Sequence, residues 1–147
     1  MRMNRLWMPI LQAAIELGRG NPQKAVDVLG STVVYERGTY WPRYLRGLAH
    51  LKMGHGFQAS LEFSRILTQP VVGPTDIVYV VAERQLAHAS AVGGGAVSLG
   101  PLYGKFFESW KNADPDLPLV REVREEYRDL RRSISLPPLP EGLWRAP

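Results

Sequence analysis

The side chains that could do chemistry come first, and among them are three histidines, His50, His55 and His88, in a chain without cysteine. His50 and His55 are five residues apart, which does not bring both to one helix face as the i, i+4 zinc spacing does. His50 reads instead as a residue packed between helices, and no metal site is expected. Gly104-Lys105 follows several glycines and suggests a phosphate-cradling loop. That motif needs a glycine where Leu99 stands, a Ser or Thr where Phe106 stands, and a strand before it. A turn between helices is the better reading. Gly-x-Ser-x-Gly is absent, and no Ser-His-acid set carries a local signature. Glu125-Glu126 point to different helix faces among arginines and read as solvated charges. The residues predict a non-enzyme with no cofactor.

Length and charge bound the chain further. Its 147 residues suit one domain, and 45% hydrophobic with 22% charged residues is ordinary for a globular protein. Without cysteine there is neither disulfide nor thiolate metal site, which fits a cytoplasmic setting. Val71 to Ala82 is nearly uncharged but is broken by Pro74 and Asp76 and is too short to span a bilayer. The basic start has no adequate apolar run behind it, so neither signal peptide nor membrane association is expected. The net charge is +4. The densest basic group, Arg121 to Arg132, alternates with Glu122, Glu125, Glu126 and Asp129, which reads as a solvated helix face and argues against nucleic acid.

Apolar spacing then predicts the elements. Leu6, Ile10, Ala13, Ala14 and Leu17 form a helical stripe stopped by Gly18 and Gly20. Asn21-Pro22 opens a second helix through Ala25, Val26 and Leu29. A third runs from about Tyr40 to Met53, closed by Gly54 and Gly56, and a fourth ends before Pro70. Ile77 to Val81 is β-branched enough for a strand, yet the pattern continues to Ala91 without a breaker and predicts a fifth helix capped by Thr75. A sixth is expected from near Pro101 and a seventh through Leu119, Val123, Tyr127 and Leu130. Short connections make neighbouring helices antiparallel hairpins. Residues 133–147, proline-rich and without period, read as an extended or disordered tail.

The segments Ala13–Leu29 and Gly47–Phe63 repeat each other. Ala13, Gly20, Ala25 and Leu29 recur as Gly47, Gly54, Ala59 and Phe63, all at one constant offset. That offset matches the roughly 34-residue period of helix–turn–helix repeats. Ala87, Gly94, Leu99 and Tyr103 fit a third copy, displaced by a longer offset whose extra residues fall around Val71–Asp76. Small residues let the two helices of a hairpin approach, the bulky position fills the gap to the next, and a last amphipathic helix caps the stack.

In this register the chain resembles the tetratricopeptide repeat (TPR) family. Trp7-Met8-Pro9-Ile10, Ala13 to Pro22, Arg46 to Ala49 and Trp110 to Pro118 resemble the C-terminal TPR region of bacterial eukaryotic-like serine/threonine kinases of the PknB type and related regulators. The resemblance implies an all-α solenoid of about three hairpins plus a capping helix over residues 1–132. It implies a signalling or scaffold role, binding a protein or peptide partner on the concave face. The alternative it implies is a sensory or regulatory fragment of a larger kinase or transcriptional regulator. No kinase nucleotide loop, His-Arg-Asp or Asp-Phe-Gly occurs, so kinase activity does not carry over. Transferred by register, the family's groove positions fall on Trp7 and Ile10, on Trp41, Tyr44, Leu48 and Lys52, and on Arg84 and His88. An open solenoid end also leaves self-association as an expectation.

Overall fold

A computed structural model describes residues 2–68, 76–93, 96–136 and 138, with backbone only at 2, 3 and 96–98. Every regular element among them is helical: α1 (Arg2–Gly18), α2 (Pro22–Leu29), a 3-10 segment (Gly30–Tyr35), α3 (Trp41–Lys52), α4 (Gly56–Thr68), α5 (Ile77–Val92), α6 (Ala96–Ser109) and α7 (Pro118–Ser133). The chain is all-α.

The boundaries differ from the sequence reading in ways that side-chain chemistry explains. Ile77–Val81 is helical, and the cap is Asp76, whose carboxylate accepts from the Val78 N–H at 2.8 Å. The expected cap, Thr75, lies outside the described residues. α1 runs through Pro9, which removes one bond to the carbonyl four residues earlier without ending the helix. α6 starts five residues before Pro101, so Gly104-Lys105 sits inside a helix and is not a turn. The 3-10 segment was not foreseen; in it the buried Thr32 hydroxyl donates to the Leu29 carbonyl at 2.7 Å.

The chain divides into two compact units, Met1–Gly94 and Gly95–Pro147. The division falls between α5 and α6, the two helices of the expected third hairpin. Gly94, the expected end glycine of that copy, lies outside the described residues.

In the first unit α1 packs on α2, α2 on α3, α3 on α4 and α4 on α5, while α1 also reaches α3 and α3 reaches α5. The repeat register extends to the backbone. Gly20 (φ 80°) and Gly54 (φ 74°) are the two residues with positive φ among those described, a conformation that costs glycine nothing. Around each, the same pair of bonds closes the helix: Asn21 N–H to Glu16 O at 2.9 Å and Gly20 N–H to Leu17 O at 3.2 Å, then His55 N–H to His50 O at 2.8 Å and Gly54 N–H to Leu51 O at 3.0 Å. This is the Schellman termination, and it aims the next helix back along the last.

Side-chain volume sets how close the two helices come. Ala13 and Leu29 are fully buried in a cluster with Ile10, Leu17, Ala25, Leu45 and Ala49. At the equivalent places stand Gly47 and Phe63, and a Cβ on Gly47 would lie 2.5 Å from the Phe63 ring. The second hairpin trades a methyl on one helix for a ring on the other. Phe63 joins Tyr40, Ala59, Ile66, Val78, Ala82 and Ala89 in a second cluster, between α3, α4 and α5. At the far end of that contact, a Cβ on Gly56 would lie 2.2 Å from the Gly93 nitrogen, so backbone meets backbone.

In the second unit Leu99, Tyr103, Phe106 and Phe107 of α6 and Val120, Val123 and Tyr127 of α7 are buried. Tyr127 lies 5.1 Å from Tyr103 and 5.8 Å from Phe107, centroid to centroid, and the Tyr103 hydroxyl donates to Glu126. Burial pushes the Tyr127 hydroxyl pKa up, with Arg131 pulling weakly the other way.

Gly47→Ala is expected to destabilise the first unit by about 1–3 kcal/mol through overpacking, more than the roughly 1 kcal/mol that helix propensity returns. Phe63→Leu alone leaves a void. The pair Gly47→Ala/Phe63→Leu rebuilds the Ala13–Leu29 arrangement, so urea unfolding should show it less destabilised than the sum of its parts by about 1 kcal/mol or more. Strict additivity would sink the volume-exchange account.

Candidate functional site

Trp41, Tyr44, Leu48 and Lys52 of α3 stand at i, i+3, i+7 and i+11 and share one helix face. Trp41 and Lys52 are exposed, Tyr44 and Leu48 half-buried. The Trp41 ring meets Tyr44 edge-on at 6.1 Å, and Tyr44 meets Phe63 edge-on at 5.9 Å. An exposed indole is thereby tied through one ring to the buried core. Such aromatics lose little freedom on binding, which suits anchors at an interface.

Of the other residues predicted for this face, Trp7 is 43% exposed on α1, at the register position of Trp41. Arg84 and His88 lie one turn apart on α5, both half-buried. Ile10 belongs elsewhere. It is buried in the cluster between α1, α2 and α3, together with Leu17 and Leu45. It is a core residue and is not accessible to a partner.

Sequence reasoning missed an apolar strip on α1. Met8, Leu11 and Ile15 are each more than half exposed. Their counterparts one repeat later, Pro42, Leu45 and Ala49, are buried, Leu45 and Ala49 against α1 and α2. The strip is therefore the α1 version of a surface that, on α3, the preceding hairpin covers. The signal was present in the sequence, since α1 carries apolar residues on more than one side, where a helix with a single buried face needs one stripe.

Also unforeseen was a buried ionic cluster. Arg46 on α3 donates to Glu36, after the 3-10 segment, and to Glu62 on α4 at 3.0 Å. Arg43 reaches Glu36 at 3.0 Å and Arg65 reaches Glu62 at 3.6 Å. Burial alone would raise the Glu36 pKa, but hydrogen bonds and charge from Arg46 and Arg43 outweigh it and hold the carboxylate below its ordinary value. Burial likewise opposes the charge on Arg46, and its two carboxylate partners more than restore it. The cluster joins three segments around one guanidinium, a positioning role that suits the planar fork of arginine.

The repeat register exchanges another polar pair. In the first hairpin buried Glu16 accepts from the Asn21 amide at 2.9 Å and meets Lys24 at 3.2 Å and Arg19 at 3.5 Å. The Asn21 bond, then Lys24, draw its pKa down. In the second hairpin the same places hold His50 and His55, with ring centroids 5.9 Å apart. Burial lowers the His50 pKa, helped by His55 and Arg46 and opposed by Glu62. Its buried Nδ1 has no hydrogen-bond partner among the described residues.

Among the described residues no three metal-ligating side chains gather, and no helix is long and apolar enough to cross a membrane. Compared with protein-family models, with curated proteins and with solved structures, the chain matches none.

The lowered pKa values set the pH response. A group whose folded pKa lies below its unfolded value stabilises above the unfolded value and loses that contribution as pH falls toward the folded one. Stability is expected to drop first below about 6.5, as His50 is forced to protonate, and again below about 4.5, as Glu16 and Glu36 do. Thermal melts between about pH 7.5 and about pH 3.5 should show both steps. His50→Gln should erase the upper step and leave the lower, and an unchanged upper step would assign it elsewhere.

Proposed function

We propose that the first unit is a non-catalytic protein-interaction module, its helices stacking as a short TPR-type solenoid. It takes a peptide or helical segment of another protein along the face of α1, α3 and α5. The observation that carries this reading is the Trp41–Tyr44 face, exposed at the indole and braced by the core beneath. Trp7 presents the same indole one repeat earlier, and Lys52 sets a positive charge at the far end of the same α3 face. Two further features support it. The helix terminations, hairpin contacts and small-to-large pairing recur at the constant offset of the repeat. The exposed apolar strip of Met8, Leu11 and Ile15 is also of the kind that marks interaction surfaces.

A displayed peptide library selected on the whole protein tests the reading. Selected peptides are expected to bind with micromolar Kd by fluorescence anisotropy, and Trp41→Ala/Lys52→Ala should weaken them tenfold or more while leaving the helical circular dichroism intact. Phe57→Ala removes a still more exposed ring, from α4, and should change little. Peptides that bind both variants as tightly as the parent would place the binding face elsewhere.

A further inference from the structure

Read along the chain, Arg121 to Arg132 alternates in sign. Wound at about 100° per residue, α7 separates the signs. Val120, Val123 and Tyr127 form the buried sector. Next to it on one side lie Arg121, Arg124, Arg128, Arg131 and Arg132, within a sector about 100° wide. Glu122, Glu125, Glu126 and Asp129 occupy the remainder. Arg121, Arg128, Arg131 and Arg132 are exposed, and Arg124 is half-buried. Arg132 pairs with Asp129 at 3.3 Å, whereas no ion pair occupies Arg121, Arg128 or Arg131 among the described residues. Arg128, Arg131 and Arg132 also line one open surface depression.

We propose that this arginine face binds the phosphodiester backbone of nucleic acid. The stripe is about 16 Å long, at 1.5 Å of rise per residue, and one side chain wide, a line of charge and not a broad patch. Duplex DNA presents a charge about every 1.7 Å, so some nine phosphates pass over such a length, and each neutralised phosphate releases condensed counterions. An ordinary acidic protein surface offers no such release. The basic groups are all arginine, whose fork grips a phosphate with two parallel bonds where lysine offers a point charge. A membrane surface fits less well. An interfacial helix must sink its apolar face among the lipids, and that face of α7 is already spent on α6 through Tyr127, Tyr103 and Phe107. The carboxylates on the neighbouring sector keep the phosphates to the arginine side, which favours binding without base readout.

The test uses the whole protein and a fluorescent mixed-sequence duplex of about 20 base pairs, titrated at several salt concentrations from about 50 mM upward. Binding is expected in the micromolar range at the lowest salt. With three unpaired arginines engaged, log K should fall against log salt with a slope of about −2.7 or steeper. Arg121→Gln/Arg128→Gln/Arg131→Gln should lose more than tenfold in affinity and most of that slope. Arg5→Gln/Arg19→Gln/Arg37→Gln removes the same charge from the first unit and should stay within about threefold of the parent. All six positions are exposed, and matching circular dichroism would show that each variant folds. Equal losses in the two triple variants would mean that net charge alone is responsible and overturn the proposal. So would the absence of duplex binding at the lowest salt, or retention by phosphatidylserine vesicles without retention by DNA.

Discussion

The first unit depends on how closely α3 can approach α4. The limit is the contact between Gly47 and the Phe63 ring, which leaves no room for a single added carbon. In a close-packed interior a methylene in the wrong place forces neighbours off their rotamers. The ring therefore fixes the separation of the hairpin's helices, and the Schellman turn at Gly54 fixes their direction. The first hairpin reaches the same backbone with Ala13 and Leu29. Volume moves from one helix to the other while the register stays constant, so the repeat conserves a sum of volumes more strictly than the residues that supply them.

Arg46 has to be read against that packing. A buried charge set is expensive to desolvate, and its gain over an apolar replacement is often nil. Here it connects the segment after the 3-10 turn, α3 and α4 through one guanidinium. Removing Arg46 would leave Glu36 to Arg43 alone and Glu62 to the exposed Arg65, a loss below the roughly 3–5 kcal/mol of a buried charge left with no partner. The apolar contact sets distance between the helices, and the ionic contact sets registry along them. The Trp41–Tyr44 face borders the same Phe63 contact through Tyr44 and inherits both constraints.

How much of this was legible in the sequence depends on how local each feature is. The helices, the glycine terminations and the constant repeat offset were all readable, because each rests on residues near one another in the chain or at one fixed spacing. Arg46 was not readable as a hub, since its partners are ten and sixteen residues away and neither spacing is a helical one. Ile10 was assigned to the groove by register, and register alone cannot tell a half-exposed Tyr44 from an Ile10 that the next helix buries. The sixth helix was expected to start only near Pro101, because Gly100 and Pro101 break helices in isolation, whereas α6 begins at Ala96. With Leu99, Tyr103, Phe106 and Phe107 all buried, tertiary packing outweighed propensity. The angular sorting of the α7 charges was missed for a simpler reason: sign was followed along the chain, whereas the helix sorts it by angle.

The exposed strip of α1 limits what any proposed partner can be. Met8, Leu11 and Ile15 are each a little over half exposed, so covering all three gains about 3 kcal/mol, at roughly half the 1.5–3 kcal/mol for fully burying such a side chain. Association costs an estimated 4–15 kcal/mol in lost freedom before side-chain ordering is counted. The strip alone therefore cannot hold a partner. A segment that crosses from it to Trp7 and on to the Trp41–Tyr44 face adds two large rings, and the bracing of Tyr44 against Phe63 lowers the ordering cost there. A second copy pairing through α1 gains less than this, because Arg5 and Arg19 flank the strip and the one carboxylate on α1, Glu16, is buried and already bound to Asn21 and Lys24. Area and charge together favour a longer apolar segment with acidic flanks, lying across α1 and α3, over self-association at the exposed helix.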